Sequence, residues 1–488
     1  MLTRRETLLP LATALSAAPA SQLCFLTATE LAQLIRSKKL SAKEVLEAHL
    51  QQIAQVNPKL NAIVTLVEDQ ARQAAKAADE HQAKGKALGP LHGLPIAHKD
   101  LVNTKGIRTT FGSPLFKDNV PTTDDLIITR LHDAGAITIG KTNTPEFGAG
   151  SQTFNTIFGP TRNPYDTTKT CGGSSGGAAT ALASGMLPIA DGSDMGGSLR
   201  NPASFCNVVG FRPSIGRVPS PSSPMLWFTL STLGPMARTV GDVALLLSAI
   251  AGPHPASPNS LPEPGPTFRQ PLKRSVKGLR IAWFKDLNGN PFDPRTLAVI
   301  NAQRKVFEQL GCIVEQAEPD FTGADFAFKT LRAWNSALTH GERIHTQRHL
   351  YKDTLLKEVE EGLRLSGSDI SRAEQLHSQL WQRFQRFLTQ YDYFILPTTQ
   401  LPAFDVNTPY PKAIHGVSFD NYVDWMRSCW FISIVGNPAI SVPAGFTPEG
   451  LPVGIQIVGR HNQDLSVLQL ASAYEQATLH GRRRPALP

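Results

Sequence analysis

The sequence predicts an α/β fold in which helices cover both faces of a β-sheet. Two observations carry the prediction. From residue 88 onward, short apolar runs alternate with glycine-rich turns and helical segments, the pattern of strand–helix–strand units. In addition, 41% of the 488 residues are hydrophobic and 18% charged, enough apolar material for a large core that needs neither disulfides nor metals.

Ahead of the alternating region, apolar residues recur at helical spacing over 27–56: Leu31, Leu34 and Ile35, then Val45, Leu46, Leu50 and Ile53. Ser41 with Glu44 three residues on is a capping box for the second of two helices, which Asn57-Pro58 should end. Residues 66–84, rich in Ala and Gln, read as a further helix. Residues 94–98 form a strand. Thr123 should cap a helix over 124–134 that stops at Gly135. A strand over 136–139, a small-residue helix over 176–185 and a buried strand over 187–190 follow. Seven prolines between Pro253 and Pro271 exclude regular structure, so 252–272 reads as an exposed connection. Beyond it lie a strand–helix–strand unit (279–284, 295–310, 312–316) and a mainly helical stretch over 323–390. Strands over 393–396, 439–442 and 453–458 and an amphipathic helix over 464–478 complete the pattern.

The formal charge of +8 does not point to nucleic acid. Lys and Arg are scattered, the only tight run is Arg482-Arg483-Arg484, and no basic-aromatic RNA motif or helix-turn-helix pattern occurs. The five cysteines (Cys24, Cys171, Cys206, Cys312, Cys429) form no C-x-x-C pair, so a zinc site or disulfide framework is not expected. Arg4-Arg5 precede a modest apolar stretch that ends at Ala18-Pro19-Ala20, an A-x-A-like cleavage site. Residues 1–20 therefore predict a twin-arginine export signal and a periplasmic or exported protein, otherwise a cytoplasmic one. Residues 8–20 are too few to span a bilayer, and no later apolar run is long enough to anchor the chain. Residues 21–488 then form one domain, with a catalytic core over about 88–215 and a substrate-shaping helical region over about 320–430.

Three segments carry the chemistry. Gly93-Leu94-Pro95-Ile96-Ala97-His98-Lys99-Asp100 puts a lysine at the end of an apolar strand, where an unpartnered charge is costly. Gly172-Gly173-Ser174-Ser175-Gly176-Gly177 leads into a small-residue helix. Asp191-Gly192-Ser193-Asp194-Met195-Gly196-Gly197-Ser198-Leu199-Arg200 places a serine after a glycine turn. Such a turn can aim consecutive N–H groups at one point, which acyl transfer requires.

On these segments the chain resembles the amidase signature family, over roughly residues 27–480. Gly140-Lys141-Thr142-Asn143 with Glu146, Phe205-Cys206, Gly436-Asn437-Pro438-Ala439 and Gly450-Leu451-Pro452-Val453-Gly454 add to the match. The resemblance implies a large mixed, mostly parallel sheet covered by helices. It also implies a Ser–Ser–Lys triad: Ser198 as nucleophile, Ser174 in a cis peptide as relay, Lys99 as base. Free serine needs a base within reach, and lysine can be that base once burial lowers its pKa. The N–H groups of Met195, Gly196, Gly197 and Ser198 would hold the oxyanion. Ser175, Asp194 and Arg200 would brace the site. His98 departs from the apolar residue that often precedes the lysine, as a packing variant or a tuner of Lys99.

The activity implied is cleavage of a C–N bond in a small amide, aryl acylamide or carbamate, without cofactor or metal, by a monomer or homodimer. The same signature occurs in the glutaminase (A) subunit of tRNA-dependent amidotransferases, the first alternative. Gly172-x-Ser174-x-Gly176 also fits a nucleophile elbow, which would make Ser174 the nucleophile of a Ser-His-Asp esterase with His340 or His345. Gly135-x-x-x-x-Gly140-Lys141-Thr142 fits a P-loop, but its middle reads as strand. The pocket should be shaped by Phe111, Gly112 and Ser113, by residues 225–228 and by 320–430. Trp227, Trp334, Trp425 and Trp430 are candidate linings, Trp227 and Trp430 foremost.

Overall fold

The computed structural model describes residues 20–487, so the expected export signal lies almost wholly outside the described residues. In chain order the strands are β1 (Ile63–Leu66), β2 (Pro95–Lys99), β3 (Ile137–Thr142), β4 (Ile189–Asp194), β5 (Val209–Arg212), β6 (Thr232–Ala237), β7 (Arg280–Trp283), β8 (Ile313–Gln316), β9 (Tyr393–Pro397), β10 (Ala413–Ile414), β11 (Val417–Ser418), β12 (Ala439–Phe446) and β13 (Pro452–Gly459). Eleven of them form one mixed sheet in the order β1-β3-β2-β4-β6-β5-β12-β13-β9-β7-β8, and β10 and β11 form a separate hairpin. Parallel neighbours occur in two three-strand blocks, β3-β2-β4 and β9-β7-β8. The blocks are joined through antiparallel neighbours rather than by one continuous parallel sheet. Strands on both sides of the proline-rich connection share this sheet.

Central strands read as apolar runs because neither face meets water: β9, β12 and β13 are buried almost throughout. Helices Ala28–Arg36 and Ala42–Leu60 begin at the capping boxes of Thr27 and Ser41. The second passes Pro58 and stops at Asn61, which takes the left-handed conformation (φ +53°). Asn57 thus ends no helix; its amide instead bonds the backbone of Ala62 and Ile63. Asp125, not Thr123, precedes helix Leu126–Asp133, because the carboxylates of Asp124 and Asp125 tie this loop back to Lys105 and Asn103. The helix expected over 295–310 is two, Pro294–Asn301 and Arg304–Gln309. The connection over 252–272 holds one short 3-10 turn, Gly265–Arg269. The helical stretch resolves into Ala324–Gln347, Asp353–Leu363 and Gly367–Gln390.

Candidate active site

In an open sheet, the carboxyl ends of adjacent parallel strands leave a crevice for ligands. β2 and β4 are such a pair, in register at Ile96↔Ile189 and Ala97↔Ala190. Lys99 closes β2 and Ser198 lies just beyond β4. Ser174 joins them from the turn before helix Gly176–Ala183, after a cis Gly173–Ser174 peptide.

Lys99 Nζ lies 2.7 Å from Ser174 Oγ and 3.0 Å from Ser193 Oγ. Lys99 is 0% exposed, Ser174 2% and Ser198 9%. The amine is therefore sealed from solvent while the two hydroxyls open onto a shared cavity. Burial lowers the Lys99 pKa to about 7, against the opposing charges of Asp194 and Asp191. The link from Lys99 to Ser174 is formed. No hydrogen bond joins Ser174 Oγ to Ser198 Oγ among the described residues; the two serine segments meet instead through Ser175 N–H, which donates to Ser198 O at 3.1 Å.

Asp194 organises the turn that carries Ser198. Its carboxylate accepts from the N–H of Gly197 (2.9 Å) and Leu199 (3.1 Å) and from Arg200 Nη2 (2.8 Å) and Nε (3.0 Å). Burial opposes its ionisation, but Arg200, with Arg212 behind it, holds the carboxyl well below the usual carboxylate range. Arg200 continues to Gln456 and Ser433, tying the turn to β13 and helix Arg427–Ile434. Gly197 has φ +113°, and a Cβ there would stand 2.5 Å from that of Cys429, so only glycine fits. The bond from Gly197 to Asp194 removes it from the expected set of oxyanion donors. The N–H groups of Met195, Gly196 and Ser198 make no backbone or side-chain hydrogen bond among the described residues.

The cavity above Ser174 and Ser198 has a volume of about 390 Å³. Its lining mixes apolar side chains (Leu101, Phe111, Phe147, Phe328, Met426) with polar ones (Arg332, Asn335, His340, Glu358), Phe147 and His340 packing together at 4.4 Å. Arg332 pairs with Glu358 at 2.7 Å. Phe111 and Phe147 both have left-handed backbones (φ +54° and +49°), a sparsely populated state for large side chains. Phe147 N–H donates to Phe111 O at 2.7 Å, and their rings lie 6.4 Å apart, near parallel at 19°. Ser113 and the backbone N–H of Lys352 both bond Glu146, fixing this wall from behind.

Several expectations are redirected. Trp430 is fully buried, stacks on Phe328 at 4.6 Å and donates its indole N–H to Val423 O. It is core, not lining. Trp227 is 74% exposed and outside the cavity, whose nearest contribution from that segment is Pro224. Trp425 is buried and lines not this cavity but an adjoining one that shares Ala149, Gly150 and Ser151 with it, and Trp334 packs against the core from its edge. Gly112 and Ser113 brace the loop behind Phe111 and do not line the cavity. Ser193 is an addition to the expected set, and a polar residue inside a buried strand is the signal that could have found it. His340 lines the cavity, but its ring meets Tyr351 and Phe147, with no bond to Ser174 among the described residues. No Ser-His-Asp triad is assembled among the described residues. Lys141 is buried in β3 with its amine on Val102 O and Thr104, which rules out a phosphate loop at this segment.

A sealed lysine joined to one serine, beside a second serine in a glycine turn, is a grouping suited to acyl transfer. The chain belongs to the amidase family, whose model, described as Amidase, matches residues 44–468. It is 36% identical over 470 residues to an acylamidase of Rhodococcus erythropolis, covering 95% of this chain and 97% of that one. It is also 36% identical to the A subunit of the glutamyl-tRNA(Gln) amidotransferase of Geobacillus kaustophilus, covering 94% and 98%. Among solved structures, a bacterial aryl acylamidase of the amidase signature family superposes with a TM-score of 0.88 at 30% identity, covering 93% and 96%. The protein is thus an amidohydrolase acting on non-peptide C–N bonds.

Proposed function

We propose that Ser198 attacks the carbonyl carbon of an N-aryl amide or related carbamate, with Ser174 as relay and Lys99 as base. The observation that carries this is a solvent-sealed lysine amine 2.7 Å from Ser174, under a cavity that Ser174 shares with Ser198. With its pKa at about 7, a large fraction of Lys99 is neutral at neutral pH. The neutral amine takes the Ser174 proton as Ser174 takes that of Ser198, whose hydroxyl turns toward the relay as the carbonyl enters. Hydroxyls can donate and accept together, which makes Ser174 a relay. The N–H groups of Met195, Gly196 and Ser198 receive the oxyanion. Each such donor contributes about 3–4 kcal/mol to the rate. On collapse, the Lys99 proton returns through Ser174 to the leaving amine, and water then releases the acyl group by the same path.

Aryl preference rests on the Phe111–Phe147 wall and on likeness to the two acylamidases. Likeness to the amidotransferase chain supports a second reading, glutamine hydrolysis with a partner protein. Arg332 in the cavity wall is already paired with Glu358 and so is not free to take a glutamine carboxylate, which favours the first reading. Export through residues 1–20 and a single domain over 21–488 belong to the same proposal; cell fractionation tests the former. The function is tested with a hydrolysis panel of anilides, carbamates, aliphatic amides, peptide amides and glutamine, with Ser198→Ala as control. Anilide turnover that vanishes in the variant supports the reading. Turnover of glutamine alone, or equal rates for both proteins, contradicts it.

A further inference from the structure

Directly behind the candidate base lies a second buried ionisable pair that the mechanism does not use. His98 and Asp191 are both 0% exposed, and His98 Nδ1 is 2.5 Å from Asp191 Oδ2. The other carboxylate oxygen, Oδ1, accepts the backbone N–H of Lys99 at 2.9 Å. This second contact has a structural reason. The β2–β4 ladder pairs Ile96 with Ile189 and Ala97 with Ala190, and goes no further. Where the strands part to open the crevice, the Asp191 side chain takes the place of the missing rung. It thereby fixes the backbone from which the Lys99 side chain departs.

His98 fixes the carboxylate in turn. With its proton on Nδ1, His98 donates to Oδ2, so that the carboxylate accepts from both His98 and Lys99 N–H. Nε2 meets Thr138 Oγ1 at 2.8 Å, and the same hydroxyl meets His132 Nε2 at 3.0 Å, which locks the ring from β3 and from helix Leu126–Asp133. Burying such a pair adds little net stability compared with apolar residues of similar volume. Its place beside Lys99 therefore calls for another explanation. Other titratable groups near the pair and Lys99 are Asp194 from β4, Lys141 from β3, Asp100 following β2, His132 and Asp133 from helix Leu126–Asp133, and Asp124 and Asp125 ahead of that helix.

We propose that His98 and Asp191 are positioning residues for Lys99: His98 clamps the carboxylate, and the carboxylate sets both the backbone position and the charge behind the amine. This rests on the reading of Lys99 as base. Asp191 favours the charged amine, so removing its charge makes the neutral base available at lower pH.

The test is the pH dependence of Ser198 labelling by a neutral fluorophosphonate. It compares wild type, Asp191→Asn, His98→Asn and the paired His98→Leu/Asp191→Leu variant. Asp191→Asn keeps an acceptor for Lys99 N–H and isolates the charge, so the acid limb should move about half a unit or more to lower pH. His98→Asn keeps a donor where Nδ1 stood and should hold the wild-type limb to within about 0.2 units. The Leu/Leu variant leaves no unpaired charge to unfold the protein; it should shift the limb likewise and slow labelling about tenfold, the cost of a misplaced base. An acid limb and rate unmoved in both Asp191→Asn and the Leu/Leu variant, with only Tm altered, would overturn the inference. A wild-type profile without an acid limb would instead sink the base reading beneath it.

Discussion

Asp194 and Arg200 form a buried ion pair at 2.8 Å whose carboxylate also holds the N–H groups of Gly197 and Leu199, so one side chain shapes the turn that presents Ser198. Arg212 faces the same carboxylate from β5 at 3.4 Å. Asp194→Asn strands two buried guanidinium groups, and breaking a buried pair costs about 3–5 kcal/mol. Urea unfolding should show a loss of that size. Wild-type stability in the variant would mean that the pair does not hold the turn.

The three candidate catalytic groups should act as a unit. Ser198→Ala, Ser174→Ala and Lys99→Met should each lower anilide kcat/KM by about a thousandfold or more, and the double variant Ser174→Ala/Lys99→Met should be little worse than either single one. Initial rates with 4-nitroacetanilide check this. Multiplicative losses in the double variant would mean that Lys99 and Ser174 serve separate steps.

Burial of Lys99 also makes a statement about stability. Its folded pKa, about 7, lies below the ordinary 10.5, so between these values the unfolded chain binds more protons than the native one. Stability from this group therefore rises with pH across that window, and the cost of burying it is fully present below about pH 7. Lys99→Met removes the cost. Its Tm should exceed that of the wild type by about 2 °C at pH 7, with the gap closing toward pH 10. Calorimetry at several pH values measures it, and a gap that is constant across the range would contradict the burial argument.

Phe111 and Phe147 hold strained backbones and form one aromatic wall, which predicts selectivity. Phe147→Leu should raise KM for anilides about three- to tenfold, the range of a lost aromatic pair, and leave small aliphatic amides nearly unchanged. Steady-state kinetics on both classes decides; equal effects on both would assign Phe147 to support rather than recognition.

How far the site is legible in the sequence varies residue by residue, for physical reasons. Lys99, Ser174 and Ser198 stand out because a charge at the end of an apolar strand and serines in glycine turns are locally anomalous. The bracing roles of Asp194 and Arg200 are legible only through the resemblance to the amidase signature family. Asp191 and Ser193 belong to the same glycine-rich segment, but their contacts depend on which strand lies beside β4, and only the sheet order reveals that β2 does. Tryptophan positions are not legible because their fate is set by distant partners: Trp430 stacks on Phe328, from a different helix. In the fold, helices with caps and long apolar runs are legible. β5 and β6 are not, since Val209–Arg212 and Thr232–Ala237 are short strands rich in glycine, proline or charge that become buried only between larger neighbours.

Neutral Lys99 activating Ser198 through Ser174 is most directly tested by the rate of fluorophosphonate labelling from about pH 5 to 9, a range that brackets the lowered lysine value. Intact mass gives the rate and peptide mapping gives the site. The label should fall on Ser198 alone, its rate rising along one titration centred near the Lys99 value of about 7, with Lys99→Met slow and flat. Label on Ser174, or equal rates in wild type and Lys99→Met at every pH, would contradict this account.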